Sequence, residues 1–549
     1  MCFVPAGARS IDASSWETIA KLLAAGKNPY HATSLLNWPP LWMQLVFCLA
    51  KVAAALGIPF FRALQVFLVL AESIVALLLL KLTHQMAPTA PARRIVIFGL
   101  ALNPVAVLLV CQHCNFDVLV ALWVILFLKS LLRYNLARNP VDWLSACLFL
   151  GLGVLTKTVP LVLVPLLAGG FRQATASLRS LGALLLLGPV TLGMSVIYVL
   201  APSDVTSKVL FYRSQEGFFG IHGLMDLAGL EKYLSVQNVL FYLLLLGVLA
   251  LSWNIFWRRH NIGDRETVLY TALLLAAIPT LGPGYATQYI YWFMPLLVLT
   301  FACYAGQWRV VLTVFGVISA ATYLVEYAFF PEYGHSIFYL WPTSLSAGGM
   351  GDALMSLYYR LDSETGRTLL RLPIFLAYLM LLFFGGRTLL RDLPNLRRVL
   401  AALGLTLAAA GLVVGYLVGT NSENSNEADA PTLGMDHDSD KKWATGALNN
   451  LAWKLATSPD VTLRDGALAV KGAERACRET NYRVTTLVGT LAAAYAETGR
   501  FEEAVATGQK ACSLASASGE TNLLRINQDL VSLYQARRPY HEPPPAQGL

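Results

Sequence analysis

The sequence predicts an all-α polytopic membrane protein with a soluble helical module at its C-terminal end, and three observations lead there. Charged residues fill 13% of the 549 positions and hydrophobic residues 56%, with a mean hydropathy of +0.55, whereas soluble domains carry about 25% charged residues. Apolar runs of the length needed to cross about 30 Å of hydrocarbon, or nearly so, recur between residues 62 and 419. The charge is also uneven. Residues 1–419 hold 28 Lys and Arg against 17 Asp and Glu, a net +11, while 420–549 hold 13 against 16, a net −3. The basic excess therefore belongs to loops that flank membrane segments, and nothing in it points to a nucleic-acid partner.

Taken in order, the N-terminal stretch MCFVPAGARSIDASSWETIAKLL lacks the apolar core of about 7–15 residues that defines a signal peptide. The run at 41–57 is apolar but short, follows WPP and contains Lys51, which predicts a helix lying on or dipping into the membrane face. The crossing runs are 62–82, 95–112, 116–133, 143–156, 158–170, 181–201, 238–257, 267–282, 288–305, 308–329, 372–387 and 397–419, about twelve passes within a range of 11–13. If 62–82 runs inward, the loops holding Arg93, Arg94, Arg138, Arg172, Arg179, Arg258, Arg259, Arg265 and Arg391 all face the cytoplasm, as the positive-inside rule requires. Loops 113–115, 202–237, 283–287 and 330–371 then lie outside, although the last contains Arg360, Arg367 and Arg371 and fits less well. This orientation leaves residues 1–61 outside with no crossing before them. The expectation is a further transmembrane helix ahead of Met1 in the native product, which the upstream reading frame would reveal.

Residues 420–442 form a polar, acidic linker that cannot bury a core. Helical spacing returns over 443–538, where LAWKLA (451–456) recurs as LAAAYA (491–496) and ERAC (474–477) as QKAC (509–512). Offsets of 40 and 35 fit a helix-pair repeat of roughly 34 residues with a small insertion. The segment 496–504, AETGRFEEA, closely resembles the turn of a tetratricopeptide repeat. Two repeats and a capping helix at 519–536 fill the length, followed by a disordered tail at 539–549. With the membrane as solvent, this module is expected outside an inner, cytoplasmic membrane and available to a protein partner.

Eight cysteines follow no even ladder. The CxxC at Cys111 and Cys114 has no second pair to complete a zinc site. Cys477 and Cys512 occupy equivalent repeat positions and read as core residues, although an oxidising compartment permits a disulfide.

Polar residues against membrane spans cost several kcal/mol unless satisfied or facing water, and the candidates cluster on the outer side. They are Asp12, the stretch Lys27 to His31, Asn37, Trp38, His113, Asn115, Asp117, Lys157, Tyr212, Arg213, Glu216, Gln288 and Tyr289. Such a set suits sugar transfer from a lipid phosphate, which needs a carboxylate to take the acceptor proton, a cation for the departing phosphate and aromatics beside a lipid-accessible groove. Asp12 or Asp117 is the candidate base, and Lys157 or Arg213 the candidate phosphate clamp. Each residue also has a plainer reading. Asp12 and Asp117 suit helix caps, Lys157 snorkelling, Arg213 a solvated loop, and Gln288, Tyr289 and Trp292 an interfacial belt.

At these positions the sequence resembles the integral-membrane GT-C glycosyltransferases that use polyprenyl-phosphate sugars. AGKNPYHATSLLNWPPLW (25–42) is similar to their GxxPY…YPPL segment in the first outer loop, and ALNPVAVLLVCQHCNFDVLVAL (101–122) to their LNP…HGxFD region. LGVLTKTVPLVLVPLL (152–167) and GPGYATQYIYWFMPLL (282–297) resemble their G…K…P…P helix pair and QYxxWxxPLL span, the set leaning toward the bacterial mannosyltransferase-like branch. Trp38 and Cys114 depart from the usual Tyr and Gly. The resemblance implies a GT-C fold, Asp12 as catalytic base, His113 and Asp117 in the second-loop motif, and Gln288 and Tyr289 lining the cavity. It further implies inverting transfer of a mannose-like hexose to a glycan, lipid or protein acceptor. No cofactor beyond the lipid-linked donor is expected, and a weak divalent-cation dependence stays open. A transporter or lipid flippase with an appended interaction domain is the competing reading. Paired repeats with broken helices would mark it, and no such symmetry is visible in 62–419.

Overall fold

The computed structural model describes residues 11–32, 38–101, 103–200, 219–258, 262–329, 364–392 and 449–542, apart from isolated positions within those ranges. Every regular element among them is helical. The chain forms two compact units, residues 1–327 with 364–426, and 328–363 with 427–549.

In the first unit, α1 (Ile11–Ala24) packs on α2 (Pro40–Ala55). Pro39 is extended and Pro40 occupies the first turn of α2, where its missing N–H costs nothing. Sixteen residues span only about 24 Å at 1.5 Å each. α2 is thus too short to cross a bilayer upright, and it buries Trp42, Met43, Val46 and Ala53 while Lys51 stays exposed over Phe47.

α3 (Phe60–Met86) shows why the body belongs in a membrane. One stripe, including Leu64, Leu68, Val75, Leu79 and Leu82, is buried, while Leu70 and Leu77 on the other side are each 59% exposed. A helix apolar on its exposed face has hydrocarbon as its natural solvent. Then follow α4 (Ala90–Ala101), α5 (Asp117–Ala137), α6 (Pro140–Thr156), α7 (Ala176–Leu200), α8 (Gly220–Leu227), α9 (Leu234–Arg258), α10 (Asp264–Leu281), α11 (Met294–Phe329, kinked at Tyr304) and α12 (Glu364–Asp392). α5, α6 and α7 pack consecutively. At Gly151 of α6 an added Cβ would lie 2.6 Å from the Leu186 carbonyl oxygen of α7, so only glycine allows this approach.

Among the described residues, four helices are long and apolar enough to cross a membrane: α3, Ala176–Val196 within α7, α9, and Gly366–Leu389 within α12. Ala90–Leu100 with Val105–Cys111 makes a fifth if this pair, bent by 43°, is one span. Several of the other predicted passes are shorter apolar helices, such as Pro140–Thr156, Val159–Gln173 and the two halves of α11. Prolines account for part of the difference from about twelve. Val159–Leu167 is a 3₁₀ helix with Pro160 in its first turn and Pro165 inside it, and Pro165 removes an N–H that a continuing α-helix would use. The predicted run at 397–419 and the linker at 420–442 lie outside the described residues.

Hydrogen bonds link the ends of helices in pairs: Arg265 donates to the Met86 carbonyl at 2.9 Å, Arg138 to Gln173 at 3.2 Å, Asn115 before α5 to Asp12 of α1 at 2.9 Å, and Gln237 to the Leu281 carbonyl at 3.1 Å. One expectation is corrected. Arg367 and Arg371 were assigned to an outer loop, but α12 begins at Glu364 and both are buried within it. Arg371 pairs with Glu326 of α11 at 2.8 Å, with side chains 1% and 0% exposed. A local hydropathy window cannot see a partner 45 residues away, and the pair is what admits the charge.

The second unit contains α13 (Gly466–Glu479), α14 (Thr485–Glu497), α15 (Phe501–Ala517) and α16 (Thr521–Gln535), each packed on the next. Small residues permit the approach: Ala473, Ala476, Ala492, Ala504 and Ala511 are buried. Cys477 is buried and Cys512 half-buried, both as free thiols, and burial pushes Cys477 up to about 12.

Residues 539–542, read from sequence as the start of a disordered tail, instead fold back on the unit. Glu542 N donates to the Thr457 carbonyl at 2.7 Å, the Trp453 indole donates to Glu542 at 2.6 Å, and His541 meets Glu497 at 2.8 Å. Deleting 539–549 is expected to loosen the helix around Trp453 by about 1–3 kcal/mol, the scale of two or three lost hydrogen bonds. Faster amide exchange at 452–457 in the otherwise full-length chain checks this, and unchanged exchange contradicts it.

Candidate active site

The site is built where four stretches distant in sequence meet. α4 ends near Asn103, which accepts from the Val105 amide, and Pro104 starts a new short helix that widens into a π turn at Leu108–Gln112. A π turn frees carbonyls from the regular ladder. The Cys111 carbonyl takes 2.7 Å from Gln65 Nε2 of α3, and Arg62 in turn donates to Gln65 Oε1 at 2.8 Å. Cys114 then adopts a left-handed conformation (φ 54°), at a cost of order 1 kcal/mol for a residue with a Cβ. Its carbonyl accepts from the Trp16 indole at 3.3 Å. The turn sets His113 and Asn115 facing α1.

Asp12 lies in the first turn of α1. Its Oδ2 accepts from Asn115 Nδ2 at 2.9 Å and lies 3.0 Å from His113 Nε2. His113 and Asn115 are buried, while the Asp12 side chain is 21% exposed. Among the described residues, Oδ1 carries no hydrogen bond. Burial pushes the Asp12 carboxyl up, but His113, the hydrogen bonds from His113 and Asn115, and Lys157 outweigh it, so the group titrates below the ordinary carboxylate value.

Asn115 has a second task, because its Oδ1 accepts the Asp117 amide at 2.8 Å and so caps α5. Asp117, in the first turn of α5, is therefore free for an ion pair. Its Oδ1 meets Lys157 Nζ at 2.8 Å, with side chains 2% and 14% exposed. Lys157 ends α6 in an extended conformation (φ −156°, ψ 141°) that sends its side chain across to α5. The ammonium also sits 5.3, 5.1 and 5.0 Å from the ring centres of Phe116, Tyr289 and Trp292, an aromatic box suited to a cation. Tyr289 and Trp292 stack at 4.0 Å on the 3₁₀ helix Thr287–Trp292. The second Asp117 oxygen, Oδ2, is buried without a hydrogen bond, and the Trp292 indole N–H approaches the same carboxylate without completing one.

Asp12, His113, Asn115, Asp117, Lys157 and Tyr289 are thus joined in one cluster. Gln288 lies half-buried beside Tyr289 on the same 3₁₀ helix. Lys27 is exposed and Tyr30 is buried, its hydroxyl donating to the Trp38 carbonyl at 3.0 Å. Arg213, Tyr212, Glu216 and Asn37 lie outside the described residues. Asp117 is not the side-chain cap that its position suggested, and Lys157 is paired rather than reaching for an interface. Sequence reasoning passed over Arg62, Gln65 and Trp16, which brace the π turn. An Arg three residues before a Gln at the start of an apolar helix was the available signal. Among the described residues, no group of three or more His, Cys, Asp or Glu side chains is placed to hold a metal ion.

The chain matches no protein-family model, and no curated protein is significantly similar to it.

Proposed function

We propose that the membrane unit is a GT-C-type glycosyltransferase that moves a hexose from a polyprenyl-phosphate donor to an acceptor hydroxyl at the outer face of the membrane. The observation that carries this reading is the Asp12 carboxylate, held through one oxygen by His113 and Asn115, with the other oxygen open and a boxed cation nearby. Asp12 Oδ1 accepts the acceptor's hydroxyl proton as that oxygen attacks C1 of the hexose. The C1–O bond to phosphate breaks, and its electron pair leaves with the lipid phosphate, inverting the anomeric centre. Lys157, with one contact spent on Asp117, offers its remaining N–H groups to the phosphate. The helical array of the second unit is proposed to be a tetratricopeptide-type solenoid that recruits a protein partner or acceptor.

A base must be ionised to act, so the acid limb of the rate profile is expected below the ordinary Asp value of about 3.9. His113→Ala removes much of what lowers Asp12 and leaves burial to dominate, so the limb is expected to move to higher pH. Rate measurements across pH on both proteins check the shift, and an unmoved limb contradicts the pairing.

One observation favours the transporter reading. Glu72, hydrogen-bonded by the Tyr291 hydroxyl, and the Glu326–Arg371 pair are buried within helices of the membrane unit, where ionisable groups commonly mark pathways. Release of lipid phosphate from a labelled donor decides between the two readings.

A further inference from the structure

The aromatic wall beside Asp12 contains three indoles of different character. Trp16 and Trp42 are fully buried, at 0% and 1% exposure, whereas Trp38 is half-buried. The Trp38 ring stands edge-on to Trp16 at 4.7 Å and to Phe116 at 5.7 Å. Trp16 lies one helical turn from Asp12 on α1, and Phe116 lies beneath the Lys157 ammonium. Trp38 thus touches one ring on the helix that carries Asp12 and one ring under the Lys157 ammonium. It is also rigid. Its carbonyl is held by the Tyr30 hydroxyl, and Pro39 and Pro40 follow directly. The Trp16 indole N–H is spent on the Cys114 carbonyl and that of Trp42 is sealed in the core. The Trp38 N–H is neither buried nor hydrogen-bonded among the described residues.

We propose that Trp38 is the platform on which the donor's hexose ring rests, with its indole N–H available to a ring hydroxyl. This inference rests on the glycosyltransferase reading and assigns its sugar subsite. A pyranose presents an apolar C–H face and a polar rim, which match a half-buried indole with an unspent N–H at its edge. Trp38 would then select the glycosylated lipid over the bare lipid phosphate, which Lys157 holds by charge alone.

The test uses the full-length protein with a short-chain polyprenyl-phosphate hexose as donor and the same lipid phosphate without sugar as competitive inhibitor. Trp38→Ala is expected to raise the donor KM about tenfold or more and to lower kcat far less, with Trp38→Phe intermediate. The inhibition constant of the sugar-free phosphate should stay constant, which also shows that the variants retain a folded site. An unchanged KM in both variants, with active wild type, overturns the role of Trp38 alone. A rise in the inhibition constant parallel to KM overturns it as well, because the residue would then merely support the phosphate site. Wild-type protein that neither transfers nor hydrolyses the donor overturns the glycosyltransferase reading, and this proposal with it.

Discussion

Asp12→Asn is expected to lower sugar transfer by about 10²–10⁴-fold, the usual contribution of a positioned general base. The amide oxygen can still accept from His113 and Asn115, so the site should keep its shape while losing the open carboxylate oxygen of Asp12. Because the side chain is 21% exposed and tied by two contacts, thermal stability should shift by no more than about 1 kcal/mol. The loss should fall on kcat, with donor KM nearly constant, since Asp12 acts on the acceptor proton and not on the phosphate. Steady-state rates with varied donor separate the two parameters, and a loss confined to KM would move Asp12 from catalysis to binding.

Lys157→Met is expected to lower stability strongly. It leaves the Asp117 carboxylate, 2% exposed and already lacking a partner for Oδ2, without its cation. Breaking one side of a buried pair costs about 3–5 kcal/mol, whereas replacing both sides by apolar groups is often neutral. Lys157→Met combined with Asp117→Leu should therefore regain most of the lost thermal stability. Activity should not return with it, because the phosphate has lost its cation. Recovery of both together would make the pair a purely structural feature.

The legible part of the fold was whatever depends on local composition. The division of a +11 apolar body from a −3 helical tail, the shortness of the apolar helix α2 and the long helices α3 and α9 follow from periodicity and charge within windows of about 20 residues. What depends on distant partners was not legible. Arg371 read as a loop charge because Glu326 stands far off in sequence, and residues 539–542 read as a disordered tail because Trp453, Thr457 and Glu497 hold them from nearly the whole module away.

The site divides in the same way. Asp12 and Asn115 are separated by 103 positions, so no spacing rule could join them, and only their shared place on the predicted outer side grouped them as candidates. Within that set, residue chemistry left Asp12 or Asp117 open as the base, and the resemblance pointed to Asp12. The distinction is geometric: Asn115 caps α5 in place of Asp117, which frees Asp117 to neutralise Lys157, and Asp12 keeps an oxygen open.

Sugar transfer by the membrane unit is measured by incubating the purified full-length protein with a polyprenyl-phosphate hexose radiolabelled in the sugar and following the label as it leaves the lipid. Wild-type protein should release the label with time, and Asp12→Asn should lose that release by at least about a hundredfold. Label that stays on the lipid with wild-type protein, or leaves it equally fast with Asp12→Asn, would rule out Asp12-dependent sugar transfer.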